Sequence, residues 1–332
     1  MNEATLENGQ TLGTWLDSRR VQLLERYTAR DEGRDPRVLV RCGIPELESL
    51  GVPELGTLII LAGHSGDGKS SLALQFIEGA AKCGYDCQAY MFEDPAEFTT
   101  DRFIAKITGL SAVKLRRMDT LWRAPEVDRR LKAAIAENAP WAERIRMWGN
   151  KFATHDLFAN IEANMTPETG LIVVDYAQVF GAEDDEASTE RVINRLAFGL
   201  NELAKKYNVA IILLSQVDTK GITRRGQVGV RDWRFGKKGE EPDRDAIDGF
   251  RPSQGDLAWA AALGQKARAV LVVFRPAVWL RCVGVSIPDD TIEIHVVKNN
   301  FGEAPDPAIL DWDGATTTIS SRRKKVRANE SL

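Results

Sequence analysis

The segment Gly63-His64-Ser65-Gly66-Asp67-Gly68-Lys69-Ser70 constrains this 332-residue chain more than any other. It fits the spacing G-x-x-x-x-G-K-[ST] and stands between an apolar run, TLIILA (57–62), and a helical pattern, SSLALQF (70–76). Glycines let successive backbone N–H groups turn inward and form an anion cradle. The N-terminus of the following helix adds partial positive charge at the same point. In that context the motif reads as a phosphate loop. The nucleotide-binding set is therefore Gly63, His64, Ser65, Gly66, Asp67, Gly68, Lys69, Ser70 and Ser71. Lys69 is spaced to reach the β- and γ-phosphates and Ser70 to ligate a magnesium ion, so ATP and Mg2+ are the expected ligands.

The rest of the chain fits the fold that such a loop requires. DCQAYMF (86–92), LIVVDY (171–176), VAIILLS (209–215) and RAVLVVF (268–274) are short and apolar on both faces, as strands of a buried parallel sheet are. Helical patterns at 70–83 and 189–207 lie between them. This alternation predicts an α/β fold, a mainly parallel central sheet flanked by helices. TIEIHVV (291–297), PAILDW (307–312) and TTTIS (316–320) read as later strands forming an antiparallel edge. Residues 11–31 carry Trp15, Val21, Leu23, Leu24 and Tyr27 at helical spacing, which predicts an amphipathic helix, either an arm or packed on its own domain. The division expected is an N-terminal arm over 1–39, a catalytic domain over 40–320 and a basic, disordered tail over 321–332.

Composition sets limits. Apolar residues make up 43% and support a large core, while the net charge of −4 leaves nucleic-acid contact to local basic clusters. No apolar run reaches the roughly 18 residues of a membrane span, and the polar start MNEATLENGQ is not a secretory signal. Cys42, Cys83, Cys87 and Cys282 are too few to staple the chain and read as buried free thiols, so a cytoplasmic location is expected.

Three further strand ends carry polar groups. Asp175 follows four apolar residues in LIVVDY and is the candidate to hold the metal with Ser70. Glu93 and Asp94 close DCQAYMF at the same carboxyl edge, and Glu93 is the candidate base for the attacking water. Gln216 closes VAIILLSQ and is a candidate sensor of the γ-phosphate, or simply a polar strand end. A long polar stretch follows at 216–255. Within 219–238 it carries Lys220, Arg224, Arg225, Arg231, Arg234, Lys237 and Lys238 against Asp232 alone, a net of +6. With Trp233 among flexible glycines, that stretch suits phosphate contact and base stacking on single-stranded nucleic acid.

These residues, in this order, resemble the C-terminal ATPase domain of DnaB-like replicative helicases. GIPELESLGVPELGTLIILAGHSGDGKSSLAL, YMFEDPAEFTTDRF, LIVVDYAQVF, RLAFGLNELAKKYNVAIILLSQ, RPSQGDL and VVKNNFG carry the similarity, from about residue 40 to 320. DYAQ followed by LLSQ is its most specific part. The resemblance implies a RecA-like P-loop ATPase core and a homo-hexameric ring with ATP between neighbours. It implies single-stranded DNA in the channel, 11–31 as a linker helix docked on the adjacent subunit, and contacts with replication proteins. Lys298 falls on the lysine of the family pattern K-x-R-x-G, whose lysine and arginine act across the interface. Asn300 stands where the arginine belongs, and GQKARA (264–269) replaces a more acidic segment. The chain begins without the family's large N-terminal helical domain, so contact with a primase or loader by that route is not expected. A short form of this kind suits a phage, plasmid or other mobile element. GHSGDGKSSLALQF and FED also resemble the KaiC and RadA branch of RecA-like ATPases, a recombination or regulatory alternative. An ATP-switched DNA-binding loader or scaffold without unwinding is the third.

Overall fold

The computed structural model describes residues 11–32, 39–117, 123–149, 153–175, 189–217, 249–252, 266–282, 286–288, 290–300, 302 and 304–322. The chain divides into two compact units, Met1–Val38 and Leu39–Leu332. The first contains one helix, α1 (Leu12–Asp31). Thr11 caps it by accepting a hydrogen bond from the Thr14 N–H at 3.3 Å. Leu12, Trp15, Leu16, Val21, Leu23, Leu24 and Tyr27 are all exposed on it.

The second unit is built on a nine-stranded sheet in the order β3-β2-β4-β5-β1-β6-β7-β8-β9. Its strands are β1 (Leu58–Gly63), β2 (Asp86–Met91), β3 (Ile145–Trp148), β4 (Thr169–Asp175), β5 (Ala210–Gln216), β6 (Ala269–Phe274), β7 (Thr291–Asn299), β8 (Ala308–Asp313) and β9 (Thr318–Ser321). The first six in spatial order pair in parallel, and β6 to β9 form an antiparallel extension. The helices are α2 (Pro45–Glu48), α3 (Lys69–Lys82), α4 (Ala96–Thr108), α5 (Ala112–Arg116), α6 (Ala124–Ala142), α7 (Thr154–Ala163), α8 (Thr189–Tyr207) and α9 (Pro276–Cys282).

The central strands are buried along their whole length because helices cover both faces. Side chains alternate across the pleat. Leu58, Ile60, Ile172, Val174, Ile211 and Leu213 face one core, where α8 contributes Leu196, Leu200 and Ala204 at helical spacing. Ile59, Leu61, Leu171, Val173, Ile212 and Leu214 face the other core, which holds Leu72, Phe76 and Ile77 of α3. Gly79 lets α3 lie against the chain entering the sheet, since a Cβ there would sit 2.3 Å from the Cys42 Cα.

The expected strands all occur, and the antiparallel edge is present. Strand β3 is an addition that the sequence pattern does not announce. IRMW is short, its side chains are only partly buried, and it occupies the sheet's edge, so it carries no strong apolar signature. The thiols depart from expectation at one place. Cys42 and Cys87 are buried, but Cys83 is exposed where α3 ends. Cys282 is not among the described side chains.

Candidate active site

Strand β1 delivers the phosphate loop to the carboxyl edge of the parallel sheet, the edge at which ligands bind in open α/β folds. Gly63 is glycine because a Cβ there would come 3.0 Å from the Val273 carbonyl oxygen of neighbouring β6. Gly68 has φ +99°, a left-handed conformation, immediately before Lys69 opens α3. Ser70 follows, and its hydroxyl donates to Asp175 Oδ2 at 2.8 Å. The hydrogen bond joins the start of α3 to the tip of β4, two strands away from β1.

Asp175 is 2% exposed, and its second oxygen, Oδ1, is buried without a partner. Burial pushes this carboxyl up to about 6; the Ser70 hydrogen bond works against the rise, Glu93 adds to it, and Lys69 and Arg102 oppose it. A partly satisfied carboxylate beside a serine hydroxyl is a donor set that fits a magnesium ion and its water. Lys69, 5% exposed, donates from Nζ to the His64 carbonyl oxygen at 3.0 Å. Burial lowers its pKa, and the charges of Glu93, Asp175 and Asp67 resist that fall.

The tips of β2 and β4 are tied together, with Met91 in register with Asp175 and the Phe92 N–H donating to the Asp175 carbonyl at 2.7 Å. Glu93 stands just past this junction and is exposed. Asp94 is held instead by Arg102 Nη2 at 2.6 Å. Between the two carboxylates, Glu93 is thus the one left facing solvent beside Lys69 and Asp175. Gln216 is in register with Gly63, so it ends β5 at the foot of the phosphate loop.

Several residues around the loop escape a reading of the sequence. Asp67 is 1% exposed, and its Oδ2 accepts from the His64 N–H at 3.0 Å and from Trp279 Nε1 of α9 at 3.1 Å. Burial pushes Asp67 up to about 7 despite those donors and the charges of Lys69 and Arg275. The Trp279 ring lies 5.0 Å from the His64 ring. Arg275, just beyond β6, donates from Nη1 to the Gly66 carbonyl at 2.7 Å and stacks 4.5 Å above the Trp312 ring. Trp312 in turn borders Gly68. The strand-tip rule that picks out Asp175 and Glu93 could have found Arg275. Trp279 and Trp312 carry no comparable signal.

Lys298 is not in this cluster. It pairs with Val270 near the start of β6, at the opposite edge of the sheet. It is half-buried and donates from Nζ to the Ala267 carbonyl at 2.7 Å. Burial, then the neighbouring Arg268 charge, lower its pKa. The DNA candidates Lys220, Arg224, Arg225, Arg231, Trp233, Arg234, Lys237 and Lys238 lie outside the described residues, as does Tyr176.

A glycine-rich strand–loop–helix on a parallel sheet, with its serine bonded to an aspartate two strands away, defines a RecA-like P-loop α/β protein. The model of the DnaB-like helicase C terminal domain matches residues 41–228, more than half of the chain, and the chain belongs to that family. Among solved structures, the ATPase domain of a phage helicase is similar at 16% identity with a TM-score of 0.72, over 93% of this chain and 99% of that one. A DnaB-like replicative helicase, solved in a study of its interactions with primase, is similar at 16% identity and a TM-score of 0.71, over 95% of this chain and 68% of that one. The RadB recombinase gives 15% identity and a TM-score of 0.51, over 86% of this chain and all of that one. At these identities the structural likeness establishes the fold. No curated protein matches the chain. Among the described residues, no helix is long and apolar enough to cross a membrane.

Proposed function

We propose that this chain is an ATP-dependent DNA helicase that moves along single-stranded DNA as a homo-hexameric ring, in the replication of a phage or other mobile element. The observation that carries the reading is the Ser70–Asp175 hydrogen bond beside the buried Lys69. Three groups from two chain segments 105 residues apart converge where a nucleotide's terminal phosphates would lie.

Backbone N–H groups of residues 63–71 cradle the phosphates, and Lys69 neutralises the outer ones. Ser70 and Asp175 hold Mg2+, which draws charge off the β- and γ-oxygens when bound. Glu93 accepts a proton from the attacking water, being exposed and close enough to feel Lys69 and Asp175. Gln216, level with Gly63, senses whether the γ-phosphate is present and passes that state to the basic stretch that follows it. Lys298 stands too far along the sheet to reach its own chain's phosphates, which supports its action on a neighbour's nucleotide. The exposed apolar side chains of α1 support a linker helix that docks on an adjacent subunit. A DNA-binding scaffold that does not unwind is favoured by one observation, Asn300 in the place of an arginine.

ATP hydrolysis by the full chain, with and without single-stranded DNA, tests the reading. Wild type should be DNA-stimulated, Lys69→Ala should lose nucleotide binding, and Glu93→Gln should bind ATP and stall. Equal turnover in wild type and Glu93→Gln would transfer the base to another residue. Turnover unaffected by Lys69→Ala would refute the site.

A further inference from the structure

The antiparallel ladder between β6 and β7 pairs Ala269 with Asn299 and Val270 with Lys298. Continued by one step, that register sets Arg268 directly across from Asn300, and the Asn300 N–H does donate to the Arg268 carbonyl at 3.0 Å. Directly opposed residues on antiparallel strands put their side chains on one face, with Cβ atoms about 4.5–5.5 Å apart. Lys298 and Asn300 are two apart on the same run and share that face. Arg268 is exposed. Its charge is close enough to Lys298 to depress the lysine's protonation. Two cations are thus held side by side, an arrangement that like charges resist unless an anion is shared between them.

Their own phosphate loop cannot be the source of that anion. The Arg268 N–H donates to the Leu58 carbonyl at the first residue of β1, while the loop begins at Gly63. Five residues of strand, at about 3.3 Å each, separate the two, more than one arginine side chain spans. Resting on the helicase reading above, we propose that Arg268 is a catalytic residue acting in trans: with Lys298 it contacts the γ-phosphate of ATP bound to the next subunit, taking the place that Asn300 leaves vacant. In that step water oxygen bonds to the γ-phosphorus and the bond from phosphorus to the β,γ-bridging oxygen breaks. The water proton passes to Glu93, and ADP and inorganic phosphate leave. Arg268 and Lys298 meet the negative charge that gathers on the γ-oxygens and the bridge, and a guanidinium's fork of donors suits that task.

The test is trans-complementation with the full chain. Arg268→Ala should lower DNA-stimulated hydrolysis by about 10³-fold or more while still binding a fluorescent ADP analogue. Arg268→Lys should recover little, because an ammonium lacks the fork. Adding Asn300→Arg to Arg268→Ala should restore most of the rate, since the guanidinium returns from the facing strand. Arg268→Ala and Lys69→Ala subunits, each inactive alone, should regain activity when co-expressed and purified through a tag on each. In a one-to-one random ring about a quarter of head-to-tail interfaces pair an intact loop with an intact Arg268. Wild-type turnover in Arg268→Ala overturns the proposal. So does lost turnover that neither Asn300→Arg nor mixing restores, which would make Arg268 structural. Both outcomes leave the nucleotide site standing if Lys69→Ala is dead, whereas an active Lys69→Ala or an inactive wild type sinks the helicase reading and this inference together.

Discussion

Replacing Asp175 with asparagine should stabilise the fold while abolishing hydrolysis. Asp175 is almost wholly buried, and burial raises its carboxyl from 3.8 to about 6. That rise corresponds to about 3 kcal/mol against the ionised form. The unfolded carboxyl ionises near 3.8 and the folded one near 6, so between them the native state keeps a proton the unfolded chain has lost. The penalty is therefore absent below the lower value, grows through the window and is complete above the upper one. Asparagine matches the neutral acid in shape and can still accept from Ser70, whose hydroxyl lies 2.8 Å away. In EDTA and without nucleotide, urea unfolding should show Asp175→Asn more stable by up to about 3 kcal/mol at a pH well above 6, and by about half as much near pH 5. Addition of MgATP should stabilise wild type more than the variant. An advantage that does not widen with rising pH, or a variant less stable than wild type throughout, would refute both the buried charge and its cause.

Asp67→Asn should flatten the pH dependence of nucleotide affinity. In wild type, affinity should fall as pH rises through about 7, because an ionised carboxylate in the phosphate loop repels the phosphates, and titration of a fluorescent ADP analogue would show it. Gly79→Ala should destabilise the fold by about 1–3 kcal/mol, since its methyl meets Cys42 backbone rather than a movable side chain; chemical denaturation measures this. Neutralising Arg224, Arg225, Arg231 and Lys237 together should lower the slope of single-strand affinity against log salt by about 0.7 per lost phosphate contact, and should remove DNA stimulation of ATPase activity.

Much of the catalytic unit is legible in advance because its strands are buried on both faces. LIILAG, AIILLSQ and AVLVVF are nearly continuous apolar runs bounded by turn or polar residues, which is what two helical layers demand of a parallel sheet. The phosphate loop is legible because its chemistry fixes both spacing and flanks. Asp175 and Glu93 follow from the rule that functional groups sit at strand tips. The same rule stops short of Trp279 and Trp312, which reach the loop from α9 and β8 only through tertiary packing. The pairing of Arg268 with Asn300 is hidden for a related reason. The two lie 32 positions apart, and only the ladder register makes them neighbours. Edge strand β3 leaves no mark because a half-exposed strand of four residues needs no apolar run.

The central claim is that ATP turnover drives strand separation, and a forked duplex measures it. Full-length wild type, given MgATP and a labelled fork with single-stranded arms, should release the labelled strand, and Lys69→Ala should release none under the same conditions. Hydrolysis that is stimulated by single-stranded DNA but releases no strand, on forks with either arm extended, would contradict the helicase and leave an ATP-switched DNA-binding scaffold in its place.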